Sequence, residues 1–598
     1  MSADLARLAA GELLAPAGAP GPVAFAAAEL GAYLGRMFGR TPAPRSVAGP
    51  AGTWLCLAPA GAPLAERAVP PPAGAEWAVR PLDEALVVSG SSARALLSGT
   101  YALLEAAGCR WSPHGAAAEH VPGPDQAVRT APALEARPAF ARRVLAADLA
   151  TWHYSMPERL GARLPSDTAF IDWMAKRGAT GLLFIRHAND TQWVIPELVP
   201  ELGRRGLDVE GGGHALVELL PRALFASHPE YFPLAADGHR SDLGNACTAS
   251  AAALGVIRER ALAAFTGLGN FHLWGLDLLG GGWCTCAECA GRSPADQALR
   301  ACNAVAEALD AGGQIFHLAY HDTLEPPRAV RPDARVWAEF APRERCYAHA
   351  LDDPACATNA PYRRALEAHL ALFAGRVHVF EYYGDAILFG GCAVPLTEVM
   401  ARDLDFYARA GVRGVSCLIF GQYSLWAYGT NIEAFARGAL SPAAVAGARA
   451  AHAASFGAAA GPMTRYLAAL ERVMAGTVTA GDVLLPPADA GRVATVRAAL
   501  ATARREAPEL RRLLAAAAAA PAPRLAAEEH LLAYTLEVLD ALERWLDEDA
   551  DPEPALAALA GAVRHVRAAH PDVAGTWGLH DLELTHHFFG NALRGRRS

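Results

Sequence analysis

The sequence predicts a (β/α)8 barrel with a smaller unit on either side. Eight short apolar segments, each ending in polar or ionisable residues, run from Val144 to Tyr423. Most are followed by a stretch of helical spacing, the alternation that builds a parallel sheet wrapped by helices. The chain has 598 residues, whereas a barrel takes roughly 250. The expected division is a small α/β domain over 1–130, a catalytic barrel over 138–440 and a helical domain over 441–598.

In the first unit, AFAAAELGAYLGRMFG places Phe25, Leu30, Tyr33, Leu34 and Met37 at helical spacing. TWLCLA is apolar throughout and reads as a buried strand, and EWAVRP and ALVVSG flank the turn at Leu82-Asp83-Glu84 as a hairpin. A second helix, ARALLSGTYALLEAAG, stops at Gly108, where glycine suits a helix end. The Pro-rich passage from Pro122 to Pro138 reads as a linker or packed connection.

The barrel segments are VLAADL from Val144, then GLLFIRH, GLDVEGGGH, FHLWGLD, IFHLAYHD, RVWAEF, VHVFEYYGD and GVSCLIFGQY. Active sites of such barrels sit where the strands end. The exits collect Asp148, His153, His187, Asn189, Asp190, His214, Asp277, His321, Asp322, Glu339, Glu381, Asp385 and Gln422. This set of donors and acceptors suits sugar hydroxyls. Trp152, Tyr154, Trp283, Tyr320, Tyr382, Tyr383 and Tyr423 add aromatic faces on which sugar rings stack. Beyond Gln422, helical periods recur around Ala443–Phe456, Pro462–Met474, Ala488–Ala519, Ala526–Leu546 and Pro554–His570.

A formal net charge of -9 and the absence of a long basic run argue against nucleic-acid binding. The expected partner is a carbohydrate. No apolar stretch reaches the roughly 18 residues that span a bilayer. The first residues carry an early acid and no basic start, which argues against a signal peptide and for a cytoplasmic protein. The glycines at 211–213 and 280–282 read as turning loops at the mouth and fit no dinucleotide fingerprint, so no cofactor is required. Of eleven cysteines, Cys284, Cys286 and Cys289 have C-x-C-x2-C spacing, suited to a structural Zn2+ with Cys247 or Cys302 as fourth ligand. His580, His586 and His587 read as surface or packing residues.

The words ELGAYLGRMFG, SGTYALLEAAGCRWSPHG, HPEYFPLAADGHR, CTCAEC, ACNAVAEAL, LAYHDTLEPP and FEYYGD resemble the bacterial family defined as domain of unknown function 4838. That family is similar in layout to α-glucuronidases and β-hexosaminidases, which set a small α/β domain ahead of a catalytic barrel. The resemblance implies a glycoside hydrolase. Hexosaminidases that use the substrate's acetamido group carry an Asp-Glu pair after strand four, whereas Asp277 is followed by Leu278. α-Glucuronidases are more similar, and their carboxylates after strands four, six and seven match Asp277, Glu339 and Glu381.

Glycoside hydrolysis needs one protonated carboxyl and one ionised carboxylate on either side of the scissile bond. Strand ends four and seven lie across the mouth, which makes Asp277 the expected acid and Glu381 the expected base or nucleophile, with Glu339 as third carboxylate. Arg343 and Arg345, just past Glu339, suit a uronic acid carboxylate or an ion pair within the loop. His153, Tyr154, His187, Asn189, His214, Trp283, Tyr320, His321, Asp322, Tyr382, Asp385 and Gln422 are the expected substrate contacts. The reading is an exo-acting glycoside hydrolase, with a uronic acid or related acidic sugar as the candidate substrate. A lyase abstracting a proton through Tyr and His, or a glycan-binding barrel without catalysis, fits the same aromatic and polar residues.

Overall fold

The computed structural model describes residues 3–48, 53–61, 70–82, 84–113, 119–148, 157–186, 193–265, 267–309, 313–419, 425–475, 490–546, 551 and 553–569. The N-terminal unit opens with β1 (Ala3–Asp4), α1 (Leu5–Leu8), β2 (Glu12–Pro16), α2 (Gly21–Phe38), β3 (Ala43–Val47) and β4 (Thr53–Ala58). It continues with β5 (Trp77–Leu82), β6 (Ala85–Gly90), α3 (Ala93–Ala106), β7 (Thr130–Ala131) and β8 (Leu134–Ala136). Six strands form one sheet in the order β3-β2-β4-β6-β5-β8. The hairpin of β5 and β6 is the one the sequence predicts, paired from Trp77 with Gly90 to Leu82 with Ala85. The Pro-rich passage supplies β7 and β8 and is thereby stitched into this unit.

Helix α2 buries Val23, Leu30, Leu34 and Met37, while α3 buries Leu96, Leu97, Leu103 and Leu104, each on the face the spacing marks. Ser92 caps α3 by accepting from the Ala95 N–H, and Gly39 ends α2 with φ 69°, the left-handed conformation glycine adopts without a Cβ clash.

The central unit alternates strands and helices: β9 (Arg142–Asp148), α4 (Pro157–Lys176), β10 (Gly181–Arg186), α5 (Val199–Arg204), β11 (Asp208–Gly213), α6 (Leu216–Leu219), α7 (Ala251–Ala264) and β12 (Asn270–Leu273). It continues α8 (Pro294–Ala306), β13 (Gln314–Ala319), β14 (Val336–Phe340), α9 (Ala360–Leu372), β15 (Val377–Gly384), α10 (Thr397–Ala410), β16 (Gly414–Ile419) and α11 (Gly429–Leu440). The strands β9 to β16 pair in sequence and close into a parallel barrel, with β16 returning to β9. Helix α8 starts at a capping box of Ser293 and Asp296, and the same Asp296 carboxylate accepts from the N–H groups of residues 328–330.

The C-terminal unit is helical, as its periods predict: α12 (Ala448–Ala453), α13 (Ala460–Met474), α14 (Ala490–Ala515), α15 (Ala522–Trp545) and α16 (Glu553–Ala569). It packs against the segment after β15, where the Thr535 hydroxyl accepts from Ala393 N–H at 3.0 Å and Tyr534 donates to the Gly390 carbonyl at 3.0 Å. One apolar cluster runs through all three units. Among the described residues no helix is long and apolar enough to cross a membrane.

Candidate active site

Strand parity decides which side chains reach the barrel interior, because successive residues point to opposite faces. The register pairs Arg142 with Gly414, Gly414 with His378, and His378 with Glu339. On β15, therefore, His378, Phe380 and Tyr382 point inward, whereas Glu381, paired with Cys417, points outward.

The floor of the barrel is ionic. His272 lies 2.9 Å from Glu210 through Nε2 and 2.5 Å from Glu339 through Nδ1, and Arg142 donates to Glu210 through Nε at 2.9 Å. Arg142 also donates to His378 Nδ1 at 3.1 Å, and Ser416 donates to Glu339 at 3.2 Å. Burial alone would raise Glu210, but Arg142 and His272 hold it well below the usual carboxylate range. Burial likewise works against a charged His272, yet the two carboxylates raise it. Each charge in this dry layer is thus matched, which is the condition for burying it. A cavity of about 450 Å3 opens beside this layer at the N-terminal end of the barrel, bordered by Trp337, Arg376 and Arg413.

The C-terminal mouth holds a different cluster. His321, two residues beyond the end of β13, places Nε2 3.9 Å from an Asp277 carboxylate oxygen and Nδ1 3.7 Å from a Glu344 oxygen. The Asp277 and Glu344 side chains are 46% and 37% exposed, so both reach solvent, while His321 between them is 18% exposed. Partial burial raises the Glu344 carboxyl above its ordinary value, and His321 and Arg343 only moderate the effect. Arg343 donates through Nε to the fully buried Asp385 at 2.9 Å and lies 3.8 Å from Glu344 through a terminal nitrogen. Asp385 is fixed in turn by the Leu388 N–H at 2.8 Å. His321 has φ 49°, a left-handed backbone that is rare for a residue with a side chain and that collects at functional sites. The Tyr320 and His321 rings lie against each other at a tilt of 43°, their centroids 3.6 Å apart.

The loop after β12 is held from two sides. The Asp322 carboxylate accepts from the N–H groups of Gly280 and Gly281, so it fixes the glycine turn. Asn245 accepts from Leu276 N–H at 2.7 Å and donates its own N–H to the Gly282 carbonyl at 2.8 Å. A Cβ on Gly275 would stand 2.9 Å from the Trp283 ring, so glycine there lets Trp283 pack under the loop. His214 donates Nδ1–H to the Gly275 carbonyl at 2.7 Å, which sets its tautomer. Trp274, one position beyond β12, lies edge-on to His214 and Phe380, and its indole N–H has no hydrogen-bond partner among the described residues.

Several expected residues stand elsewhere. Glu381 does not meet Asp277 across the mouth. It is 0% exposed between β15 and α10, where Tyr407 donates to it and Arg345 lies 3.2 Å away. Arg345 also pairs with Asp403, which accepts from Tyr383 at 2.9 Å, so Arg345 and Tyr383 serve this wall of the barrel. Burial raises Glu381 above its ordinary value despite Arg345. Glu339 points inward but sits in the ionic floor beneath the mouth, because it precedes the strand end and bonds His272. Residues 211–213 belong to β11 and are not a mouth loop; a Cβ on Gly212 would stand 2.1 Å from the His272 carbonyl oxygen. His153, Tyr154, His187, Asn189, Gln422 and the three C-terminal histidines lie outside the described residues.

Glu344, unlike those, is a site residue the strand-exit pattern missed. Its signal was the PRERC loop directly after β14, in which a carboxylate stands between two arginines. Trp274 shares the parity of Asn270 and His272 on β12, a facing that the closed barrel turns inward.

The fold is shared with enzymes acting on complex glycans. A family GH115 4-O-methyl-α-glucuronidase, BtGH115A, described as specific for decorated arabinogalactans, superposes with a TM-score of 0.60 at 13% identity, covering 96% of this chain and 79% of its own. A GH138 enzyme targeting pectin rhamnogalacturonan II superposes with a TM-score of 0.56 at 9% identity over 98% of this chain and 99% of its own. At such identities the likeness is one of fold. No curated protein sequence matches the chain. The model of one sequence family matches residues 149–433, from the end of β9 into α11, so the N-terminal words that resemble the family lie outside the match. The matched model is that of domain of unknown function DUF4838, to which the barrel of this chain is similar over those residues.

Proposed function

We propose that this chain is a glycoside hydrolase whose acid and base work is done by Glu344 and Asp277. The observation that carries the reading is the pair itself: two solvent-reaching carboxyls in unlike settings flank one imidazole at the barrel mouth. Glu344, raised by partial burial, is the better suited of the two to carry a proton and give it to the leaving oxygen. Asp277, the more exposed of the two, serves as nucleophile or water-activating base. His321 sits between them and orients both. Tyr320 lies against His321 beside the pair, and Asp322 holds the loop that carries Asp277. The fold shared with the GH115 and GH138 enzymes supports a carbohydrate substrate. Replacing either carboxylate by its amide should lower turnover of a responsive glycoside by at least about a hundredfold, the scale of general acid-base catalysis, while leaving the melting temperature nearly unchanged. Full activity in both amide variants would contradict the assignment.

The finer reading is a uronic acid or related acidic sugar, supported by Arg343 at the same mouth. Its Nε is taken by Asp385 and one terminal nitrogen lies 3.8 Å from Glu344, which leaves the other terminal nitrogen to meet a substrate carboxylate. Arg343→Lys keeps a cation beside buried Asp385 but loses the planar fork. A charged hydrogen bond contributes roughly 1.5–3 kcal/mol, so binding of the acid should weaken about tenfold more than binding of the matching neutral sugar. Equal losses for both sugars would show that Arg343 serves the loop alone.

A further inference from the structure

We propose that Cys247, Cys284, Cys286 and Cys289 form a tetrahedral, all-thiolate Zn2+ site that ties the loop bearing Asp277 to the segment before α7. The four sulfurs all lie within 4.8 Å of one another. A Zn–S bond of about 2.3 Å in a tetrahedron sets its sulfurs about 3.8 Å apart. Cys247 Sγ and Cys286 Sγ are 3.8 Å apart. All eleven cysteines are free thiols, so this convergence is not the product of a disulfide.

The surroundings suit a thiolate centre. The cysteines form a cluster separate from the main core, with Leu234 and Ala249 as apolar cover. The Leu234 N–H donates to Cys284 Sγ at 3.3 Å. Residues 286–292 fold into tight turns, with the Cys289 and Ala290 N–H groups donating to the Cys286 carbonyl, which brings Cys286 and Cys289 to one point. Of the two fourth ligands the sequence admits, the structure selects Cys247. Cys302 instead lies buried in α8, its thiol 3.6 Å from the Leu273 carbonyl. A second group, Cys346, His349 and Cys356, offers only three ligands, one of them exposed.

Four protein ligands close the coordination shell, so the metal is structural and takes no part in bond cleavage. Its effect on chemistry runs through position. Cys247 lies two residues beyond Asn245, which bonds Leu276 N–H and the Gly282 carbonyl, while the other three ligands follow Gly282 directly. A metal there locks the Asp277 loop at both of its ends. Each thiol gives up its proton on binding, so the site loads best in neutral to alkaline buffer.

The test is metal content of the full chain, produced in zinc-supplemented medium under reducing conditions and read by elemental analysis. One Zn2+ per chain is expected. Exchange for Co2+ should give the sulfur-to-metal charge-transfer bands of a tetrahedral thiolate centre in the unaltered protein. Cys286→Ser and Cys289→Ser should each cut retained zinc to about a tenth or less. Cys302→Ser and Cys356→Ser should keep it. Because zinc content and the cobalt spectrum are read on the wild-type chain, a poorly folding variant leaves the question answerable. A wild-type chain without zinc, zinc retained after Cys286→Ser, or zinc lost on Cys356→Ser would each overturn the proposal.

Discussion

Asp277 and Glu381 look alike in the sequence, each an acid near the end of an apolar segment, and parity separates them. Asp277 follows β12 by several residues and escapes into the mouth. Glu381 lies within β15 and is turned outward into a polar wall with Arg345, Asp403 and Tyr407. Glu381→Gln should therefore act on stability. It removes one acceptor of a buried network but leaves Arg345 paired with Asp403, so a loss of about 1–3 kcal/mol in denaturant unfolding is expected, with kcat per folded molecule retained. A hundredfold fall in kcat without a change in stability would return Glu381 to the active site. Counting residues along VHVFEYYGD places Glu381 opposite in facing to His378 and Tyr382, but which facing is inward depends on the neighbouring strands. That is why the acid was visible in the sequence and its direction was not.

At the scale of elements, the eight barrel strands and their order were legible because each is a short apolar run ending in polar residues. The ionic floor was not. Arg142, Glu210, His272, Glu339 and His378 come from five strands and become neighbours only when the barrel closes. Their pH behaviour follows from the two opposite shifts. His272 is raised in the folded state, so its contribution is complete below the unfolded value of about 6.5 and is lost as pH rises through the higher folded value. Glu210 is lowered, so its contribution is complete above the unfolded value of about 4.3 and is lost as pH falls further. The stability difference between the wild type and His272→Gln should be largest near pH 5 to 6 and shrink toward pH 9. A difference that grows from pH 6 to 9 would mean that His272 is neutral in the folded barrel. Glu344 was missed for a related reason, since its carboxyl is raised by burial that exists only once the mouth is assembled around it, with His321 brought in from the exit of β13.

Across the whole molecule, one apolar core runs through all three units, and the first two are also joined by ion pairs. Glu433 on α11 pairs with Arg177 at 2.8 Å and with Arg437 at 2.6 Å, while Arg437 and Arg177 both reach Glu105 on the N-terminal unit's α3. Removing one partner of a buried pair leaves the other charge uncompensated, at a cost of about 3–5 kcal/mol. Glu433→Ala should therefore lower the calorimetric transitions of the barrel and of the N-terminal unit together. A barrel transition that shifts alone would show that the two units unfold independently. The barrel and the helical C-terminal region were readable from pattern, whereas the joints were not, because Glu105, Arg177 and Glu433 are far apart in the chain.

The central claim, that Glu344 gives a proton to the leaving group, is tested most directly by leaving-group dependence. A general acid matters little when the departing alcohol is already acidic and greatly when it is not. With Glu344→Gln, kcat/KM should fall at least about a hundredfold on a glycoside with an unactivated alkyl or sugar leaving group, yet stay within about tenfold of wild type on one with an activated aryl leaving group. Equal losses on both substrates, or no loss on either, would contradict the assignment.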